Sequence, residues 1–393
     1  MNRYASSYKL LAISRLVQET IFWYSIFVAF AYSIDLSLQE ISYSIIAVNL
    51  GVILFEVPSG VLADRWSRKW TLFIGTLTLI AASLIIGLST GPLQYIIGSF
   101  IWGIFFALQS GSPESLIYDM LKVEKSTKLY KKYLARFTLM GTAGLMLGSF
   151  SGAFIADTVS LKAAYLLTII PSVISLALLY FVKEPKQHQE SQEFNAYRHY
   201  GIAISQLAKK GQVGVVVIAL VMVTAGVSFL FELNQVYYFA AGLPLALYGI
   251  VNSTLQFAIG GGSWLADKVS TGKAILAAGI AFLALSVFIL FSVTVFSTVL
   301  LSVMLLLLFY LTASMSHYLQ DQISSEVRAA ANSMVSTGGR LVFSVLIILF
   351  GVINSSKEEV NGYVLLTIVA IVIFVLLLLS SKGLNSFDKS QRD

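Results

Sequence analysis

Stretches of about 20 apolar residues, the length an α-helix needs to cross a bilayer, recur along the chain with short polar breaks between them. Twelve can be counted, at 9–33, 39–63, 70–89, 93–119, 133–156, 162–182, 213–240, 245–266, 273–293, 297–319, 330–354 and 361–381. We read each as one membrane-spanning helix, numbered spans 1 to 12, with ends defined to within a few residues. The longest polar stretch, 183–212, divides the spans six and six. The expected organisation is a six-helix bundle at 1–182, a cytoplasmic linker at 183–212 and a second six-helix bundle at 213–393. Within the linker, 194–209 reads equally as an amphipathic helix on the membrane surface and as solvated chain.

Composition agrees with a lipid solvent. The 393 residues are 57% hydrophobic and 12% charged, against roughly 25% charged in a soluble domain. A chain of this length has too few charges to cover a water-facing surface. Lys and Arg then fix the orientation, because basic residues near helix ends stay on the cytoplasmic side. With an inside N-terminus, the inner loops hold Arg65, Arg68, Lys69, Lys122, Lys125, Lys128, Lys131, Lys132, Lys183, Lys268, Lys273 and Arg328, among others, and the outer loops only Lys162 and Lys357. Removing or adding one span would scramble this separation, so the charge bias supports the helix count too. The expectation is a multi-pass protein of the cell membrane with both termini cytoplasmic. Residues 1–10 are polar, carry Arg3 and Lys9 and lead into no cleavage site, so span 1 is expected to be a retained anchor. A net charge of +6 distributed in this way is a topology pattern, and it argues against a nucleic-acid partner. With no cysteine there is no disulfide framework, thiolate metal site or cysteine nucleophile; no cofactor or metal is expected.

An internal repeat links the halves. Leu62-Ala63-Asp64-Arg65-Trp66-Ser67 at the end of span 2 matches Leu265-Ala266-Asp267-Lys268-Val269-Ser270 at the end of span 8, at an offset of 203 residues. Asp119 and Asp321 close spans 4 and 10 at an offset of 202. Glu19 in span 1 and Glu232 in span 7, each followed by aromatic residues, form a looser pair at an offset of 213. Two kindred six-helix halves suggest a cleft between them that opens to either side.

The segment Glu56-Val57-Pro58-Ser59-Gly60-Val61-Leu62-Ala63-Asp64-Arg65-Trp66-Ser67-Arg68-Lys69 resembles the loop 2–3 signature of the major facilitator superfamily, G-x-L-A-D-R-x-G-R-K. Gly60, Leu62, Ala63, Asp64, Arg65, Arg68 and Lys69 fit it; Ser67 stands where the family usually has glycine, which bears on the tightness of the turn. Residues 110–119, Ser-Gly-Ser-Pro-Glu-Ser-Leu-Ile-Tyr-Asp, are similar to the end of helix 4 in bacterial drug-efflux-like members. The resemblance implies an all-α membrane fold of twelve helices in two pseudo-symmetric six-helix bundles. It also implies a charge cluster of Asp64, Arg68 and Asp119 that latches one state, with Gly60, Arg65, Lys69 and the second copy at Asp267 belonging to the same device. Independently, Asp64 and Arg68 stand four residues apart, close enough for an ion pair; the other reading is charge that only sets topology.

Ionisable groups at bilayer depth are candidates for function because each costs a few kcal/mol to insert. Glu19 lies about ten residues into span 1, and Arg15, Glu19 and Trp23 share one face by i, i+4 spacing, so Arg15 is placed to pair with Glu19. The alternative is a permanent structural ion pair. Glu56 shares a face with Asn49 and is read as a proton relay, a gate support or a packing partner of Pro58. Glu114, near the inner end of span 4, reads equally as functional group and as anchor. Glu232, with Asn234 and Gln235, would join a polar lining in the second half. Arg136 and Arg340 are placed to bind an anionic group or to neutralise these acids. Gly141, Gly144, Gly148 and Gly152 in span 5 allow a neighbouring helix to approach closely; the Gly-Pro pair of the family's antiporter signature is absent from that span. Zinc-binding His-Glu-x-x-His, Gly-x-Ser-x-Gly and P-loop segments are also absent, so enzymatic or ATP-driven readings lack support. The sequence favours a monomeric secondary transporter in the bilayer that exports small amphiphilic compounds against protons. Its rival is proton-driven uptake of a sugar, amino acid or organic anion.

Overall fold

The computed structural model describes residues 4–185, 211–323, 328–354 and 361–390, so the candidate surface helix at 194–209 lies outside the described residues. The first half comprises α1 (Ala5–Gln18), α2 (Phe27–Ser33), α3 (Leu38–Arg65), α4 (Arg68–Gly87), α5 (Pro92–Gln109), α6 (Ser112–Val123), α7 (Tyr130–Thr158), α8 (Leu161–Leu167) and α9 (Ile169–Phe181). The second comprises α10 (Gly211–Ala240), α11 (Leu245–Lys268), α12 (Gly272–Phe291), α13 (Val295–Gln322), α14 (Arg328–Ile353) and α15 (Val364–Ser390). Each of the twelve spans is helical, and the fold is the expected all-α membrane architecture of two six-helix halves. Ten helical stretches among the described residues are long and apolar enough to cross a membrane. The other two are span 1, which is interrupted, and α11, whose apolar run is diluted by Asn252, Gln256 and Gly260–Gly262.

Three spans read as single helices are broken. Span 1 leaves α1 at Glu19, passes through a 3-10 turn at Phe22–Ser25 and resumes as α2. The run Thr20 to Tyr24 is β-branched and aromatic, with weak helix preference; Thr168 Oγ1 accepts from the freed Phe22 N at 3.0 Å, and Ser25 Oγ ties the break to α7 by donating to Ser149 O at 2.8 Å. Backbone groups in a bilayer need such partners. Span 4 breaks at Ser110–Gly111, where Gly111 adopts φ +70°, a region costly for any residue with a Cβ, and α6 restarts with Pro113 in its first turn. Span 6 is interrupted at Thr168, the residue that caps the break in span 1.

The chain divides into two compact units. One holds Met1–Ser191 with Pro244–Ser253, the other Gln192–Leu243 with Thr254–Asp393. In the first, Trp23 stacks on Tyr165 at 5.0 Å and meets Trp102 edge-on at 4.7 Å, and its Nε1 donates to Ser83 Oγ at 2.9 Å. The opening turns of α11 join this unit: Gly249 presses on the backbone of Ser149, and Asn252 Nδ2 donates to Ser149 Oγ at 3.1 Å. In the second unit, α10 packs among α13, α14 and α15 through Phe229, Tyr237, Phe350 and Tyr363. The Tyr237 hydroxyl, buried there, donates to Ser297 Oγ at 2.9 Å.

Candidate functional site

The ion pair expected in span 1 forms at the helix break. Arg15 Nη1 lies 2.9 Å from Glu19 Oε1, with 27% and 13% of the two side chains exposed. Glu19 is the C-cap of α1, so Arg15 occupies its last turn, where a cation also opposes the negative end of the helix dipole. The Arg15 guanidinium sits 5.7 Å from the centre of the Phe137 ring on α7. Helix α7 comes this close through its glycines. A Cβ on Gly144 would lie 2.1 Å from Leu16 O and 3.1 Å from Glu19 Cβ; one on Gly148 would lie 2.5 Å from Ile21 N, and one on Gly152 1.7 Å from Phe22 O. The stripe is therefore the seat of the broken segment. Trp23 does not share the face of Arg15 and Glu19, as continuous helical spacing would require, because the break intervenes and turns its indole into the aromatic core.

A second cluster lies where α3 turns into α4. Arg68 Nη1 pairs with Asp119 of α6, and Arg68 Nη2 lies 3.5 Å from Asp64. Asp64 is 71% exposed and Asp119 25%, so the contact to Asp119 is the better shielded of the two. Ser67 caps α4: its Oγ accepts from Trp70 N at 3.1 Å and donates to Glu184, whose Oε1 also accepts from Arg68 N at 2.8 Å. Lys69 Nζ donates to Tyr180 O at 2.6 Å. Arg65 is exposed, and a Cβ on Gly60 would meet nothing within 4 Å. Sequence reasoning missed Glu184, which begins the linker and carries no local signature. Ser67 had one available signal, a serine directly before a helix start.

The remaining candidates are dispersed. Asn49 Nδ2 bonds within α3 to Ile45 O at 3.1 Å, and Glu56 is exposed, its carboxylate without a hydrogen bond or ion pair among the described residues. Glu114 lies in the first turn of α6, where the helix dipole favours an acid, and its Oε2 is buried without a hydrogen-bond partner. In the second unit, Arg340 of α14 acts electrostatically on Glu232 of α10 without a direct ion pair, and Asn234 and Gln235 are buried beside Glu232. Arg136 is exposed at the start of α7. Asp267 is exposed and forms no ion pair among the described residues; the loop after it is held instead by the Tyr310 hydroxyl, which donates to Val269 O at 2.8 Å. The described residues contain no cluster suited to a metal ion.

Comparison with known proteins bears on this arrangement. The chain is 30% identical over 159 residues to the quinolone resistance protein NorB of Staphylococcus aureus, an alignment covering 40% of this chain and 32% of that relative. The chain thus spans about a third of the length of the curated relatives it matches. Its fold is similar to that of a point mutant of the nucleoside transporter NupG, with TM-score 0.77 at 16% identity, covering 95% of this chain and 98% of the other. It is also similar to a bacterial homolog to the human lysosomal transporter Spinster (TM-score 0.73, 14% identity, 98% of each chain) and to a D-xylose-proton symporter (0.68, 15%, 95% and 96%). The family model described as Major Facilitator Superfamily matches residues 10–316, and the chain belongs to that family of membrane transporters.

Proposed function

We propose that the chain is a proton-coupled secondary transporter that exports small amphiphilic compounds by alternating access, with Glu19 as its principal proton-exchanging carboxylate. The observation that carries the reading is the Arg15–Glu19 pair at an interrupted helix within a membrane-spanning segment. Charges at that depth are expensive and need a partner or a water-filled space. A proton taken up by Glu19 discharges the pair and frees Arg15; loss of the proton restores it. Such a two-state contact is suited to biasing a transporter between conformations. The similarity to a quinolone resistance protein supports the direction and the substrate class.

In this reading the bundles at 1–182 and 213–393 rock about a central cleft, joined by the linker at 183–212. The cluster of Asp64, Arg68 and Asp119 latches one state, and Glu232 with Arg340 supplies the second half's charged partner. Proteoliposomes loaded with a fluorescent amphiphile test it. The parent protein should release dye when a proton gradient is imposed, and Glu19→Gln should lose the dependence on the gradient. Flux by the parent that ignores the gradient defeats the proposal.

A second reading, uptake of a small polar nutrient, is favoured by one observation. Asn234 Oδ1 and Gln256 Nε2 are buried without a hydrogen-bond partner among the described residues, as amides awaiting a polar ligand would be. The direction of flux in the same vesicles separates the two.

A further inference from the structure

The turn joining α6 to α7 carries six exposed cations in fifteen residues: Lys122, Lys125, Lys128, Lys131, Lys132 and Arg136. None forms an ion pair among the described residues. The one acid among them, Glu124, is already engaged, its Oε1 accepting from Tyr4 N at 2.7 Å. The neighbouring loop from α3 to α4 shows the contrast, since Arg68 and Lys69 are each committed to protein partners.

Membrane topology does not require so dense a cluster. The turn that corresponds to it in the second half, following Asp321, carries Arg328 as its one basic residue. The placement also runs against local stability. Lys131 and Lys132 occupy the first turn of α7, where the helix dipole disfavours cations, and that turn has neither an acid nor a capping side chain. Apolar side chains stand exposed among the cations, Val123 and Leu129 on the turn itself. Unpaired cations alternating with exposed apolar groups at the end of a membrane helix complement a surface of anionic headgroups above an acyl layer.

We propose that this turn docks on the anionic phospholipid headgroups of the leaflet it faces, which the charge bias of the loops makes the inner one. The lysines act as point charges on phosphodiester oxygens, so the attraction is screened by salt and does not require a fixed stoichiometry.

The absence of cysteine makes the test direct. Thr127→Cys introduces a unique thiol in the turn for an environment-sensitive dye, and the full chain is placed in nanodiscs of phosphatidylcholine with a minority of phosphatidylglycerol. A quencher is carried on one lipid or the other. Quenching per mole should be several-fold stronger from phosphatidylglycerol at low salt, and the preference should collapse at high salt and in the combined Lys128→Gln, Lys131→Gln, Lys132→Gln variant. Equal quenching by the two lipids, or a preference indifferent to salt, overturns the proposal. So does an equal dye response to inorganic phosphate in detergent, which identifies a small-anion site. If the neutralised variant inserts wrongly, the salt series on the parent decides alone.

Discussion

Replacing Gly152 with alanine tests the claim that the α7 glycines seat the broken first span. The added Cβ would stand 1.7 Å from Phe22 O, 2.4 Å from Phe22 C and 2.7 Å from Phe22 Cα, where real Cβ contacts are essentially never closer than 3.0 Å. All three obstacles are backbone, so no rotamer change relieves them. Either α7 withdraws, loosening its contact at Gly148 and Gly144, or Phe22 shifts and strains its bond to Thr168. Overpacking of this kind costs typically 1–3 kcal/mol, and rigid obstacles place it at about 3 kcal/mol. Gly141→Ala should cost less than about 1 kcal/mol, because its nearest neighbours, 3.0 to 3.7 Å away, are the flexible side-chain atoms of Arg15. Gly60→Ala meets nothing and gains helix propensity, so it should be neutral or stabilising by up to about 1 kcal/mol. Thermal unfolding in detergent, followed by tryptophan fluorescence, should rank the variants Gly152→Ala well below Gly141→Ala, with Gly60→Ala at or above the parent. If Gly152→Ala melts with Gly60→Ala, the backbone contact is not what holds the break in place.

Three further outcomes follow from the charged contacts and the cap. A double-mutant cycle of Arg15→Gln and Glu19→Gln should give a coupling of about 1 kcal/mol, above the surface median because the pair is largely shielded; a coupling of zero would remove the pair from the stability of the unit. Asp119→Asn should destabilise more than Asp64→Asn, since Asp119 holds Arg68 in the more shielded contact, and equal melting temperatures would contradict that ranking. Ser67→Ala removes the cap of α4 and a donor to Glu184 and should cost about 1 kcal/mol; slower hydrogen exchange at Trp70 than in the parent would be the opposite of the expected fraying.

The membrane class and the helix count were legible because lipid imposes one coarse rule, about 20 apolar residues per crossing, which ten helical stretches among the described residues satisfy outright, and because the charge bias of the loops supported the remaining two. The break in span 1 was not legible. It carries no glycine or proline at the interruption, and it persists because Thr168, remote in sequence, accepts from the freed Phe22 N–H; the break in span 6 did carry a signal, Pro171, which has no N–H to donate to Leu167 O. The break in span 4 did carry a signal, Gly111 followed by Pro113, which the continuous apolar run outweighed. Pairing of Arg15 with Glu19 and of Arg68 with Asp64 followed from i, i+4 spacing, since that geometry is local. The reach of Glu184 to the α4 N-terminus spans 116 residues and depends wholly on how α9 ends.

The repeat shows where correspondence of sequence stops being correspondence of chemistry. Asp64 and Asp267 occupy matching places, yet the loop after Asp64 is fastened by charge, through Arg68 and Asp119, while the loop after Asp267 is fastened by a tyrosine hydroxyl on the Val269 carbonyl. An ion pair at a partly wet helix end responds to protonation, salt and a competing charge; a neutral bond from Tyr310 responds to none of these to the same degree. The acid that matches Asp119, Asp321, lies 3.8 Å from His317 and is 42% exposed, a contact that carries charge only when the histidine is protonated. Among the described residues, the shielded ion pair that fastens such a loop lies in the first half, at Arg68 and Asp119, while the matching acid of the second half faces a histidine, so the two copies answer to different stimuli.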